Sequence, residues 1–163
     1  MLVGYRVVPP WRPPVRPGLP AQILTLSSCL VDAVPDDDAW FDSSGAAARH
    51  VRPGVRVLAM GLVESESESA AAVARLGTVR SPWPADLPIA GYELVSPDEP
   101  GFHSWHCFDW HCFDWHCFDW HCFDGELNSH GLVDDLADAR RIAAGPGSAL
   151  PPVLWVAAAV AVV

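Results

Sequence analysis

VRVLAMGLV, residues 55–63, followed at once by ESESESAAAVARLG, residues 64–77, is the stretch on which the fold turns. The first nine residues are almost continuously apolar and of strand length. The segment after them changes character. Glu64, Glu66 and Glu68 stand where negative charge complements the start of a helix, Ala70, Ala71, Val73, Ala74 and Leu76 supply a small apolar face, and Gly77 ends it. The spacing predicts a strand at 55–63 and a helix at 65–76, with the acidic run acting as a cap and not as a site.

Working outward, QILTLSSCLVDAV at 22–34 is rich in aliphatic and β-branched residues and stops at the turn signal Pro35-Asp36-Asp37-Asp38. GYELVS at 91–96 predicts a third strand. In LVDDLADARRIAA, residues 132–144, Leu132, Leu136, Ala139, Ile142 and Ala143 fall near helical spacing, with Asp early and Arg late, so a closing helix is expected at about 133–144. DSSGAAARHVRPG, residues 42–54, reads as a short helix or loop. Together these segments predict one α+β (or small α/β) domain, its sheet of three or more strands packed by two or more helices. The expected organisation is a Pro/Arg-rich arm at 1–21, a single domain at 22–144, and a Gly/Pro linker with an apolar tail at 145–163, the tail being either an edge strand docked on the core or a loose end.

Composition limits the function. Half of the 163 residues are hydrophobic and 18% are charged, a globular balance. The ten cationic side chains are all arginine and are scattered, and the net charge is −10, which argues against nucleic acid as a partner. The four aspartates of the repeat described below account for part of that charge; without them −6 remains, an ordinary solubilising value. Prolines at 9, 10, 13 and 14 interrupt any apolar run of the kind a signal peptide uses. VLWVAAAVAVV at 153–163 is eleven residues long, about half of what a helix needs to cross a bilayer. A cytoplasmic protein with no membrane span is expected, and in that compartment its five cysteines stay reduced. Cys29, inside an apolar run, reads as a small buried hydrophobe.

The least probable feature of the chain is WHCFD repeated four times without deviation at 105–124, which gathers four of seven histidines, four of five cysteines and four of eight tryptophans. A period of five turns each copy by about 140° on a helix, so the four cysteines cannot share one face. Helical spacing does pair Cys107 with His111, Cys112 with His116 and Cys117 with His121, three half-sites whose thiolate and imidazole suit zinc or copper(I). On a strand the odd period alternates faces, and metal binding is poor. Zinc sites usually space paired ligands two to four residues apart and set the pairs a dozen or more apart, which this repeat does not do. Perfect identity is also what tandem duplication of one ordinary WHCFD segment leaves behind, and this neutral expansion is the favoured origin. An aromatic contact surface built from the eight Trp and Phe rings is a third reading. Cys107, with His103, His106 and Asp109 nearby, has the residue types of a thiol enzyme, although catalytic partners usually converge from distant segments.

GYELVSPDEPGFHSWHC at 91–107, NSHGL at 128–132 and the acidic helix after it resemble small uncharacterised bacterial proteins with a GYE strand, a Phe-His-Ser-Trp-x-Cys segment and an Asn-x-His-Gly-Leu motif. The likeness covers about 22–144 and implies no activity; the repeat departs from it where a varied, helical segment is expected. The positions that carry it are His103, Ser104, Trp105, Cys107, Asn128 and His130, which could equally form a structural corner. The expectation drawn from all of this is a non-enzymatic cytoplasmic binding or accessory protein with a protein partner, of the immunity-protein kind. Zinc or copper(I) binding through the repeat is the alternative, and a thiol-dependent enzyme the third.

Overall fold

The computed structural model describes residues 1–12, 20–26, 40–62, 80–97, 102–104, 127–144 and 156–163. Five strands form one sheet: β1 (Leu2–Val8), β2 (Arg56–Leu62), β3 (Gly91–Pro97), β4 (Phe102–Ser104) and β5 (Val156–Val162), in the spatial order β1-β2-β5-β3-β4. Every pairing is antiparallel. With two short helices among the described residues, α1 (Ser44–Ala48) and α2 (Leu136–Ala143), the chain is a mixed α+β protein.

β2 and β3 lie where the apolar runs predict them. Two other strands correct the reading of the termini. Leu2–Val8 belongs to the sheet and not to a proline-rich arm, because its seven residues hold no proline and all are buried; the prolines begin only at Pro9. The apolar tail is likewise the middle strand, with Leu58 opposite Val162 and Glu93 opposite Ala158. Burial on both faces explains its composition: small residues from Ala158 to Ala161 let a layer of structure approach from either side. The strand expected at 22–34 is not regular where it is described. Ile23 makes a single bridge to Trp11, and residues 24–26 cross the sheet as irregular chain. The helix expected at 65–76 and Cys29 lie outside the described residues.

The two faces of the sheet carry different layers. On one, Tyr5, Val7, Val57, Ala59 and Ala161 pack with Ala47 of α1, and Leu94 packs with Ala139 and Ile142 of α2. α1 is capped by the Ser43 hydroxyl, which accepts from Ala46 N at 3.2 Å. Asp135 caps α2 through bonds from Ala137 N (2.7 Å) and Asp138 N (3.2 Å), and this cap fixes the start of the helix three residues later than the apolar spacing does. On the other face Leu58, Met60, Leu62, Val95 and Val160 meet Leu24, Leu26 and Leu132, with Trp11 and Trp40 at the margin. Where it is described, this second layer is irregular chain, so the backbone polar groups of those residues need partners outside a regular helix or ladder.

Candidate functional site

Those partners are charged side chains from the strands. Register places Arg6 beside Leu58 and Glu93 beside Ala158, and Leu58 and Ala158 lie on the same face of the sheet. Ser104 of β4 stands opposite Val95, two residues beyond Glu93, and so shares that face. Arg6, Thr25, Glu93 and Ser104 are all buried, with exposures of 0–1%.

Leu26 ties the group together. Its carbonyl accepts from Arg6 Nη1 at 2.7 Å, and its N–H donates to Glu93 Oε2 at 2.7 Å. The Thr25 hydroxyl donates to Glu93 Oε1 at 2.5 Å, and the Ser104 side chain also bonds the carboxyl. The Arg6 guanidinium lies 5.6 Å from the centre of the Trp40 ring, which covers it with an aromatic face. Burial raises the Glu93 pKa from 4.5 to about 7; the bonds from Ser104, Thr25 and Leu26 and the charge of Arg6 act the other way without offsetting it. A carboxyl titrating near neutrality between two hydroxyls has the ingredients of an acid–base site. Its polar atoms are nevertheless spent on the fold, and neither of the two cavities described below is lined by any of the four side chains.

A second constellation is the corner at 127–133. Asn128 Nδ2 donates to Ala90 O and to Asp134 Oδ1, both at 2.8 Å, while its Oδ1 accepts from His130 N at 2.9 Å and Leu132 N at 3.2 Å. Gly131 takes φ +74°, and a Cβ there would meet Ile23 at 2.7 Å. Asn128 thus acts as the structural corner that the Asn-x-His-Gly-Leu pattern allows. His130 is exposed, and its carbonyl accepts from Leu24 N at 2.9 Å.

Among the described residues, two cavities open at the end of the sheet where β2 begins and β5 finishes. A cavity of about 460 Å³ is lined by Pro10, Leu24, Arg56, Ala90, His130 and Val162 among others. An adjoining one of about 490 Å³ is lined by Arg12, Gly54 and Val55 and shares Pro10, Gln22 and Arg56 with the first.

The six predicted metal ligands, Cys107, His111, Cys112, His116, Cys117 and His121, lie outside the described residues, as do Trp105 and the whole repeat. The backbone places His103 in β4. Among the described residues no three His, Cys, Asp or Glu side chains gather as a metal-holding group. Of the positions that carry the resemblance, Ser104 meets the Glu of the GYE segment, and Asn128 and His130 meet at the corner.

Sequence reading missed the Arg6–Glu93 pair, although the signal was present. GYRVV at 4–8 and GYELV at 91–95 repeat one pattern, Gly-Tyr-charge-aliphatic-Val, with opposite charges in the third place. A charge inside an otherwise apolar strand must find a partner, and each of these is the natural candidate for the other. No family model, curated protein or solved structure matches this chain.

Proposed function

We propose that the protein is a non-enzymatic binding or accessory protein of the cytoplasm that engages a protein partner, in the manner of an immunity protein. One observation carries this reading: among the described residues, a polar group with the makings of catalytic chemistry is sealed and committed to holding irregular chain on the sheet, while a concave surface open to solvent holds Arg12 and Arg56 beside an apolar floor. That division suits a molecule that presents a rigid surface and leaves its ligand unchanged. The likeness to small bacterial proteins fits the same reading, because the residues that carry it include Ser104 and Asn128, whose bonds are structural. Among the described residues no helix is long and apolar enough to cross a membrane.

The test is recovery of a partner on the immobilised full chain, followed by reconstitution from purified components. A single protein bound in fixed ratio supports the reading, above all if it is retained after three of the four WHCFD copies are deleted. Turnover of a substrate by the purified chain, lost in the Glu93→Gln variant, overturns it.

The repeat favours a second reading, zinc or copper(I) binding, through its three Cys–His pairs spaced four residues apart. Native mass spectrometry under reducing conditions, with both metals quantified before and after mild chelation, tests it. A stoichiometric ion lost together with structure makes metal binding the leading function; an apo protein that stays folded removes it.

A further inference from the structure

The two adjoining cavities form one groove, continuous through Pro10, Gln22 and Arg56. Its walls are held firmly. Pro9 and Pro10 fix the backbone leaving β1, and Trp11 and Ile23 then exchange two backbone bonds of 2.9 and 2.8 Å that set Arg12 opposite Gln22 just beyond the antiparallel bridge. Arg56 opens β2, opposite Val8. The far wall is the Asn128 corner, which presents Ser129 and His130, and the Ala90 N–H bond to Val160 O at 2.8 Å closes the floor beneath it. These contacts preorganise the groove before any ligand arrives.

Its chemistry is divided in the same way. Leu24, Ala90, Ile89 and Val162 give an apolar floor, and Ile89 is 45% exposed, so the floor reaches solvent. Arg12 and Arg56 are exposed at the rim, and among the described residues neither guanidinium has an ion-pair partner, in a chain whose net charge is −10. A guanidinium is a weakly hydrated fork that matches an oxyanion with two parallel bonds. The volumes, about 460 and 490 Å³, suit a small molecule.

We propose that this groove binds a small organic oxyanion, a carboxylate or a phosphate monoester on an apolar body, with Arg56 and Arg12 holding the oxyanion and Leu24, Ala90 and Val162 seating the body. The inference goes beyond the binding of a protein partner and stands whether or not such a partner is found.

Phenyl phosphate and benzoate are the probes, with benzyl alcohol carrying the ring without the charge and inorganic phosphate carrying the charge without the ring. Each is titrated into the full chain by calorimetry, with backbone amide shifts recorded in parallel. The expected result is saturable binding of at least one charged aromatic probe, shifts centred on Gln22, Ala90 and His130, and an affinity about tenfold or more above that for benzyl alcohol or for inorganic phosphate. The stronger of the two charged probes identifies the headgroup. Arg56→Gln should weaken binding about tenfold and Arg12→Gln/Arg56→Gln should abolish it, with the unfolding midpoint retained because both side chains are exposed. If Arg56→Gln fails to fold, Arg12→Gln alone must still weaken binding. Equal affinity for benzyl alcohol, binding indifferent to both substitutions, or shifts placed elsewhere on the sheet would overturn the proposal.

Discussion

Arg6 and Glu93, from strands at positions one and four of a five-stranded sheet, hold the same residue from its two polar groups: the guanidinium takes the Leu26 carbonyl and the carboxyl takes the Leu26 N–H. The pair fastens an irregular segment across the sheet, and its energetics can be measured.

Glu93 makes stability depend on pH in an unusual direction for a carboxylate. Its folded pKa, about 7, lies above the ordinary 4.5, so the proton favours the folded state. The stabilisation is complete below about 4.5 and is lost as pH rises through about 7, by about 3 kcal/mol at 1.36 kcal/mol per pH unit. Glu93→Gln cannot ionise and should lack this slope. Urea unfolding of both proteins between pH 5 and 8 checks it: the wild type should lose stability relative to the variant across that window, and parallel curves refute the assignment.

Arg6→Met removes the Leu26 carbonyl's partner and leaves Glu93 without its cation, which should cost about 3 kcal/mol. The double variant Arg6→Met/Glu93→Gln leaves no buried charge behind and should be less destabilised than the two single losses added together. A double-mutant cycle in denaturant measures the difference, and strict additivity would mean that the two side chains act independently.

At the corner, Asn128→Ala deletes two donated and two accepted bonds and should cost about 2 kcal/mol. Asn128→Asp keeps the acceptor for His130 N and Leu132 N but sets a carboxylate against Asp134. It should be the milder change in acid and the worse one at neutral pH, as read from thermal midpoints at the two conditions.

Gly61 lies under the Trp83 ring, and a Cβ there would fall 2.5 Å from it, while Trp83 is itself held by its Nε1 bond to Leu87 O at 2.9 Å. Gly61→Ala should therefore destabilise by about 2 kcal/mol through overpacking, despite the lower entropy cost of alanine in a strand. Pairing the change with Trp83→Leu, which vacates the space, should recover part of the loss in the same unfolding assay.

Legibility in the sequence follows the range of the forces involved. β2, β3 and α2 could be read because each carries its own signal, an apolar run or a helical spacing with dipole-ordered charges. β1 escaped, and β5 could be read only as an edge strand or a loose end, because their identity depends on partners far away. Pro9 onward made LVGYRVV look like the root of a tail, and VAAAVAV has the composition of a poor strand until it is placed between two others that bury both its faces. The buried pair was hidden for the same reason: Arg6 and Glu93 look like surface charges one at a time, and only register puts them on a single face. The groove could not be read at all, since Arg12, Arg56 and His130 come from three separate segments.

The position of β5 bears on how the chain is made. A ribosome delivers β2 and β3 before it delivers the strand that joins them, so each leaves the exit tunnel with an inner edge bare. Before β5 is made, β1 can close on β2 and β3 on β4, but the sheet of the native state joins these two halves only through Val156–Val162. During that interval the bare edges of β2 and β3 are the surfaces on which a holding chaperone would act and where a ribosome stalled short of residue 156 would leave an aggregation-prone product.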